Sequence, residues 1–391
     1  KWKLSHANYN QPTFIFHLDI TLMDGLNMSR RIRRTPYTDR VEHLGVTGFS
    51  VVNHMLLPKA YTTSVEEDYW HLRKAVQIWD VACQRQVQIE GEDAQKLVQL
   101  MTPRKIAKAK IGDCMYIPII DDKAGIINDP VMLKLSETCY WLSIADSDVL
   151  LYALGLALGR NLNVNISEPD VSPLAVQGPK AEALMVKVFG EHVRKIGFFK
   201  FGWVEFSGTQ QLVARSGYSR QGGFEIYLNG SHLGEAIWNH IWEAGQEFDI
   251  KPGCPNLIER IEGGLLSYGN EMTRENNPFE VGMEKFCCLD EDVDYIGKPA
   301  LLKIAESGVR QKIIGVLFDG DPCPTCSKPW SIKADDKNIG FITSAIWSPR
   351  LRANVAHAMV SKEFCNVGQK ISIHITKYSI IDGTISSLPF Q

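Results

Sequence analysis

Two hydrophobic runs of β type, 211–214 and 224–228, flank a polar, glycine-rich stretch. That pattern predicts two strands joined by a turn. In the second strand Glu225 alternates with Phe224 and Ile226, so its side chain projects to the face opposite theirs. Apolar residues at helical spacing predict helices over 66–75, 94–100, 148–158, 180–189, 237–244 and 257–266. Thr102-Pro103 closes the second of these and Gly159 the third. Strands are predicted near Trp79 and over 87–90, 140–144 and 174–177. Residues 116–120 and 131–135 read as a hairpin around a turn at 121–129. From about Gln311 onward, short strands over 312–317, 339–346, 353–360 and 370–374 suggest a small closed β domain. Helices mixed with hairpins, and hence antiparallel sheets, give an α+β class.

A chain of 391 residues exceeds what one compact core serves, so two or three domains are expected. Its net charge of −3 gives no electrostatic basis for binding nucleic acid or a membrane. The basic run Arg30-Arg31-Ile32-Arg33-Arg34 reads as a solvated arm. The apolar stretch 14–22 carries His17 and Asp19 and is too short to cross a bilayer. It also lacks the cleavage site of a signal peptide. Residues 1–28 are expected to be a disordered or non-native extension. Nine cysteines, an odd and scattered set, do not form a secreted disulfide framework. Cys323-Pro324-Thr325-Cys326 has zinc-ribbon or redox spacing, but no second Cys or His pair accompanies it, so no metal site is expected. These features point to a reducing, cytoplasmic compartment.

A lone carboxylate such as Glu225 on a core-proximal strand is costly to bury unpaired. A flat donor edge, such as the amino-pyrimidinone of a pterin, would justify it. A solvated strand carboxylate is the alternative.

The run from Arg215 through Gly217-Tyr218-Ser219-Arg220-Gln221-Gly222-Gly223-Phe224-Glu225-Ile226 resembles the G-Y-T-G-E-x-G-x-E-I signature of the folate-binding glycine cleavage T-protein family. Other landmarks of that family follow in order. Ile78-Trp79-Asp80-Val81 resembles its early D-V-S segment, and Asp121-Asp122 through Asn128-Asp129 its G-G-x-x-D-D turn. Val176-Gln177-Gly178-Pro179 is similar to V-Q-G-P, and Arg260-Ile261-Glu262-Gly263-Gly264 through Tyr268-Gly269 to R-L-E-A-G…Y-G. Tyr295-Ile296-Gly297 and Gly340-Phe341-Ile342-Thr343-Ser344 complete the set. The match covers roughly Ser29 to the C-terminus, and the ordered set is far more specific than any one piece.

The resemblance implies three domains around a central channel that holds tetrahydrofolate. Residues 29–300 would form two intertwined α+β domains and 301–391 a C-terminal β-barrel. It implies that Glu225 grips the pterin edge, with Tyr116, Tyr268 and Tyr227 as further cofactor-binding residues. Asp129 would be the catalytic group, near the folate N5 where the one-carbon unit is received. The bland alternatives are buried phenols and a turn aspartate bonded to its own backbone.

Several positions depart from the family pattern. Asn128 and Gln221 stand where it has carboxylates, Asn256 where it has Arg, and Lys285 where it has Trp. Arg260 and Glu262 are retained and could form an ion pair. The departures, with Asn53-His54-Met55-Leu56-Leu57-Pro58 and Cys254-Pro255-Asn256-Leu257, resemble a branch of the family that demethylates dimethylsulfoniopropionate. Val52 stands where that branch has an aromatic residue. Membership of that branch implies a small-molecule methyl donor and no lipoyl carrier protein, and leaves a homodimer open. A cationic donor is best held by aromatic faces. Phe198, Phe199 and Tyr218 are candidates, with Tyr152 and Tyr227 also available. Ser143 and Lys285 are candidates for its carboxylate. Plain core packing is the alternative for Phe198 and Phe199. Two other readings compete: an aminomethyltransferase or N-methyl amino acid demethylase, and a folate-binding scaffold without transferase activity. In the last, Cys254 or Cys114 would have to serve as a reactive thiol.

Overall fold

The computed structural model describes Ser29 and residues 31–290, 292–376 and 379–391. The expectation for residues 1–28, and Arg30 of the basic run, lie outside the described residues. The class is α+β. A six-stranded sheet runs in the order Phe201–Phe206, Thr209–Ala214, Gly223–Asn229, Val171–Gln177, Val76–Asp80, Ile250–Gly253. Its neighbours are antiparallel except the last pair. A five-stranded antiparallel sheet runs Asn165–Ser167, Gln86–Glu90, Cys139–Ser143, Val131–Lys134, Cys114–Tyr116. Gln311–Phe318, Ala353–Ser361, Lys337–Ser348, Trp330–Ala334, Lys370–Thr376 and Ser379–Ser386 close into a barrel. Closure removes the edges that open sheets must protect.

Alternation in Gly223–Asn229 sorts its side chains as the pattern predicts. Phe224, Ile226 and Leu228 enter the main core with Val176, Val213 and Trp238. Tyr227 faces the other way, into a smaller cluster with Leu212 and Ala214 of its own sheet and Cys114, Leu133 and Trp141 of the five-stranded sheet. The site therefore lies where the two sheets meet.

The predicted hairpin over 116–135 is split in two. Cys114–Tyr116 pairs with Val131–Lys134, and Ile119–Ile120 pairs with Ile126–Asn128 as a separate ribbon. Pro118 and Pro130 stand at the break, where neither offers an N–H to a ladder. Asp129 sits at that break, freed from regular pairing. The helix predicted over 257–266 is only Leu257–Glu262, ending at Gly263-Gly264, where Gly264 takes φ +65°. A ribbon of Gly48–Val52 and Met55–Ala60 turns at Asn53 and His54, with φ 51° and 61°. Two positive φ angles in a two-residue loop match the twist of a hairpin.

Arg260 and Glu262 do not pair with each other. Residues two apart on a helix point to different sides. Arg260 reaches Glu271 at 2.7 Å and Ser344 Oγ at 2.7 Å. Glu262 accepts from Arg350 at 2.8 Å, Ser348 at 2.5 Å and the Tyr69 hydroxyl at 3.0 Å. The helix thus joins the barrel through both side chains. Among the described residues, no helix is long and apolar enough to cross a membrane.

Candidate active site

Glu225 is buried on the inter-sheet face, directly across from Ala214 on one neighbouring strand and Ala175 on the other. Two small neighbours leave room beside its carboxylate. Ser216 Oγ donates to Oε2 at 2.5 Å, and no described side chain bonds the other oxygen. Burial raises the Glu225 pKa, and the Ser216 bond opposes the rise. The solvated alternative is excluded by burial. Ser216 is held by its loop. Gln177 donates to the Ser216 carbonyl at 3.2 Å and accepts from Ser219 at 2.7 Å. Gly217 makes this possible: a Cβ there would lie 2.1 Å from Gln177 Oε1, at a φ of +151°.

Tyr227, two residues on, shares this face. Its hydroxyl is buried without a hydrogen-bond partner among the described residues. Ser143, also buried, accepts from Gln86 Nε2 at 3.0 Å. The influence of Ser143 on Tyr227, and of Glu225 on Tyr227 and Cys114, makes these side chains near neighbours.

A second group lies beside the first along the strand Cys114–Tyr116. The Tyr116 hydroxyl donates to Asp129 Oδ2 at 2.7 Å, while Asp129 Oδ1 is buried with no partner among the described residues. Burial lifts Asp129 to about 7. The Tyr116 bond and its own backbone pull it down, and the charge of Glu271 adds to the rise. Tyr218 donates to the Leu266 carbonyl at 2.5 Å and is close enough to feel Asp129 and Glu271. Tyr268 donates to the Ile126 carbonyl at 3.2 Å, across the ribbon from Asp129.

The ring candidates do not converge on one cage. Phe198 is 78% exposed, so core packing is excluded for it. Its ring packs at a tilt against Phe199, with centroids 4.9 Å apart, and both line an open cleft with Lys285 and Phe286. Phe199 also touches the cluster of Tyr227, whereas Tyr218 stands with Asp129. Tyr152 donates to the Ile120 carbonyl from the helix Val149–Arg160 and packs in a different core. Lys285 lies 5.0 Å over the Phe286 ring, at the cleft rather than beside Ser143. Phe286 in turn packs edge-on against Tyr116 at 5.6 Å.

Sequence reasoning missed Ser216, Gln86 and Phe286. Ser216 lies inside the signature loop and Phe286 follows Lys285, so both were within reach. Nothing in the sequence marks Gln86, which sits opposite Ser143 through strand register. Cys114 and Cys254 are buried and their thiols pushed up, Cys254 to about 12, so neither is a ready nucleophile. No group of His, Cys, Asp and Glu among the described residues could hold a metal ion.

Two largely antiparallel sheets meeting at a pair of buried carboxylates, followed by a six-stranded barrel, define a two-part architecture. Residues 37–291 match the GCVT N-terminal domain and residues 311–391 the glycine cleavage T-protein C-terminal barrel domain. The chain belongs to the glycine cleavage T-protein family. It is 50% identical over 334 residues to the dimethylsulfoniopropionate demethylase DmdA of Ruegeria pomeroyi, covering 85% of this chain and 91% of that one. It is 30% identical over 319 residues to an aminomethyltransferase of Caldanaerobacter subterraneus, covering 80% and 84%. The crystal structure of the glycine cleavage system aminomethyltransferase T of Bartonella henselae shares the fold, with a TM-score of 0.82 at 21% identity over 92% of this chain and 98% of that one.

Proposed function

We propose that this protein is a tetrahydrofolate-dependent methyltransferase. It demethylates dimethylsulfoniopropionate, or a close onium analogue, to give methylthiopropionate and 5-methyl-tetrahydrofolate. The observation that carries this reading is the pair of buried carboxylates, Glu225 and Asp129, each bonded by a described side chain through one oxygen only. Asp129 Oδ1 is a buried acceptor without a partner among the described residues, which is costly, and a ligand that donates to it removes the cost. The half-identity to DmdA supports the choice of donor.

Tetrahydrofolate would be held by Glu225 at the pterin edge, with Tyr227, Tyr116 and Tyr268 around it, and supplies the acceptor nitrogen. The donor methyl leaves with its S–C bond broken, and the bonding pair stays on sulfur, which becomes a neutral thioether. The new C–N bond moves the positive charge to nitrogen, and Asp129 would take the proton that nitrogen sheds. Most of the rate then comes from alignment. No lipoyl carrier or redox step enters. All nine cysteines are free thiols, which suits a cytoplasmic setting.

Aminomethyl transfer is the second reading, because a carboxylate poised near neutrality is also a general base. A non-catalytic scaffold is disfavoured because Cys114 and Cys254, the thiols it would use, are both buried and pushed up.

Two results follow. Asp129 must be ionised to accept a proton and is raised to about 7. Activity should therefore rise as pH increases through about 7 and fall below it. A pH profile of kcat/KM checks this, and the limb should vanish in Asp129→Asn. Asp80, also raised to about 7, lies outside the site, so its titration would survive in that variant. The donor test is charge. Cation–π attraction from even one desolvated ring, such as Tyr218 beside Asp129, is worth about 2 kcal/mol. The neutral thioether methylthiopropionate should thus bind at least about tenfold more weakly than the sulfonium. Equal affinity for both in a competition titration would remove the onium reading.

A further inference from the structure

Strand register brings Gln86 into the site. It stands opposite Ser143, Ser143 opposite Val131, and Val131 opposite Tyr116. Residues directly opposite share a face of the sheet. One row therefore runs from Gln86 to Tyr116, whose hydroxyl holds Asp129. Gln86 is buried, and its Nε2 uses both protons, donating to the Gln84 carbonyl at 2.7 Å and to Ser143 Oγ at 3.0 Å. Its Oε1 is buried with no partner among the described residues. Turning the amide over would give Oε1 the Ser143 proton, but would set that oxygen against the Gln84 carbonyl. The amide is thus pinned with its nitrogen on Ser143. A serine hydroxyl that already accepts keeps its own proton to donate elsewhere. Close to it, the Tyr227 hydroxyl is also buried without a partner among the described residues. Two O–H groups are left open side by side in the interior, where unmade hydrogen bonds are costly.

We propose that Gln86 is a positioning residue for the methyl donor, turning the Ser143 hydroxyl into a donor aimed at the carboxylate of a carboxylate-bearing onium compound. The proposal rests on the onium reading above and deepens it. Such a substrate brings a carboxylate into the interior along with its cation. Lys285 lies at the cleft rather than beside Ser143, so neutral groups have to hold that carboxylate. A neutral hydroxyl does so only when its proton points the right way, and Gln86 fixes that direction without adding charge. The carboxylate takes the Ser143 and Tyr227 protons together and closes both open bonds. A hydrogen bond to a charged group is worth roughly ten- to a hundredfold in affinity. The carboxylate stands apart from the S–C bond that breaks, so it is held equally in the ground state and the transition state. The contact therefore belongs in KM rather than in kcat.

The test is steady-state kinetics of the full chain with dimethylsulfoniopropionate at saturating tetrahydrofolate. Gln86→Met, which removes the amide at similar volume, should raise KM for the sulfonium about tenfold and leave kcat and folate affinity close to those of the unaltered chain. Gln86→Glu keeps the shape but offers acceptors only, so Ser143 donates to it instead, and KM should rise at least as far. Ser143→Ala should raise KM by a similar factor, and Gln86→Met should add nothing further in the Ser143→Ala background. A glutamine that only supports the fold would give additive losses, falling on folate affinity and kcat as well. Additive effects in the double variant, or an unchanged KM in either folded Gln86 variant, would overturn this proposal, and demethylation by the unaltered chain would leave the onium reading standing. An unaltered chain that binds tetrahydrofolate and leaves the sulfonium untouched would overturn both.

Discussion

Replacing Glu225 with glutamine is expected to weaken tetrahydrofolate binding by at least about tenfold while the protein stays folded. Hydrogen bonds to a charged group contribute about 1.5–3 kcal/mol, which corresponds to roughly ten- to a hundredfold in affinity. The substitution keeps the shape of the side chain and the Ser216 contact at one oxygen. It replaces the free oxygen or its neighbour with a donor, which faces the donors of the pterin edge. Because Glu225 has no cation beside it among the described residues and is held above its ordinary pKa by burial, removing the charge relieves desolvation in the free protein. Stability should hold or rise slightly, and this separates a binding defect from an unfolding one. Unchanged folate affinity in the folded variant would remove Glu225 from the site.

Asp129→Asn is expected to lower turnover by about ten- to a hundredfold, with a smaller effect on folate affinity. A sulfonium is already activated by its charge, so the transfer of methyl needs no strong base. What the amide loses is the sink for the departing proton and the negative charge that meets the cationic product. The Tyr116 hydroxyl can still donate to the amide oxygen, so the local geometry survives. Steady-state kinetics with both substrates saturating distinguishes the outcomes. A variant that binds both substrates normally and is wholly inactive would mean obligatory proton transfer, and would favour the aminomethyl reading.

The signature loop and the alternation around Glu225 were legible in the sequence because strand period fixes which face a side chain takes. The barrel was legible from four of its six strands. Trp330–Ala334 and Ser379–Ser386 were not, since each mixes polar and apolar residues on a surface that only closure half-buries. The break at Asp129 was missed because two prolines act together across a pairing that sequence alone does not register.

The departures from the family pattern acquire a physical reason only in three dimensions. Asn128 accepts from the Ala145 N–H at 3.0 Å and donates to the Ala145 carbonyl and to Ser147, which a carboxylate could not do. Gln221 donates to Glu259 at 2.6 Å, where a glutamate would repel it. Asn256 caps the helix Leu257–Glu262 by accepting from Ile258 and Glu259. All three are amides that tie segments together. The ring candidates failed to converge because sequence gives residue types without their distances.

The central claim is that a methyl group passes intact from an onium donor to tetrahydrofolate. The most direct test incubates the purified chain with tetrahydrofolate and dimethylsulfoniopropionate, and separately with sarcosine and dimethylglycine, and identifies the folate product by chromatography and mass. The account predicts 5-methyl-tetrahydrofolate and methylthiopropionate in equal amounts from the sulfonium. Formation of 5,10-methylene-tetrahydrofolate from the N-methyl amino acids, with the sulfonium untouched, would contradict it.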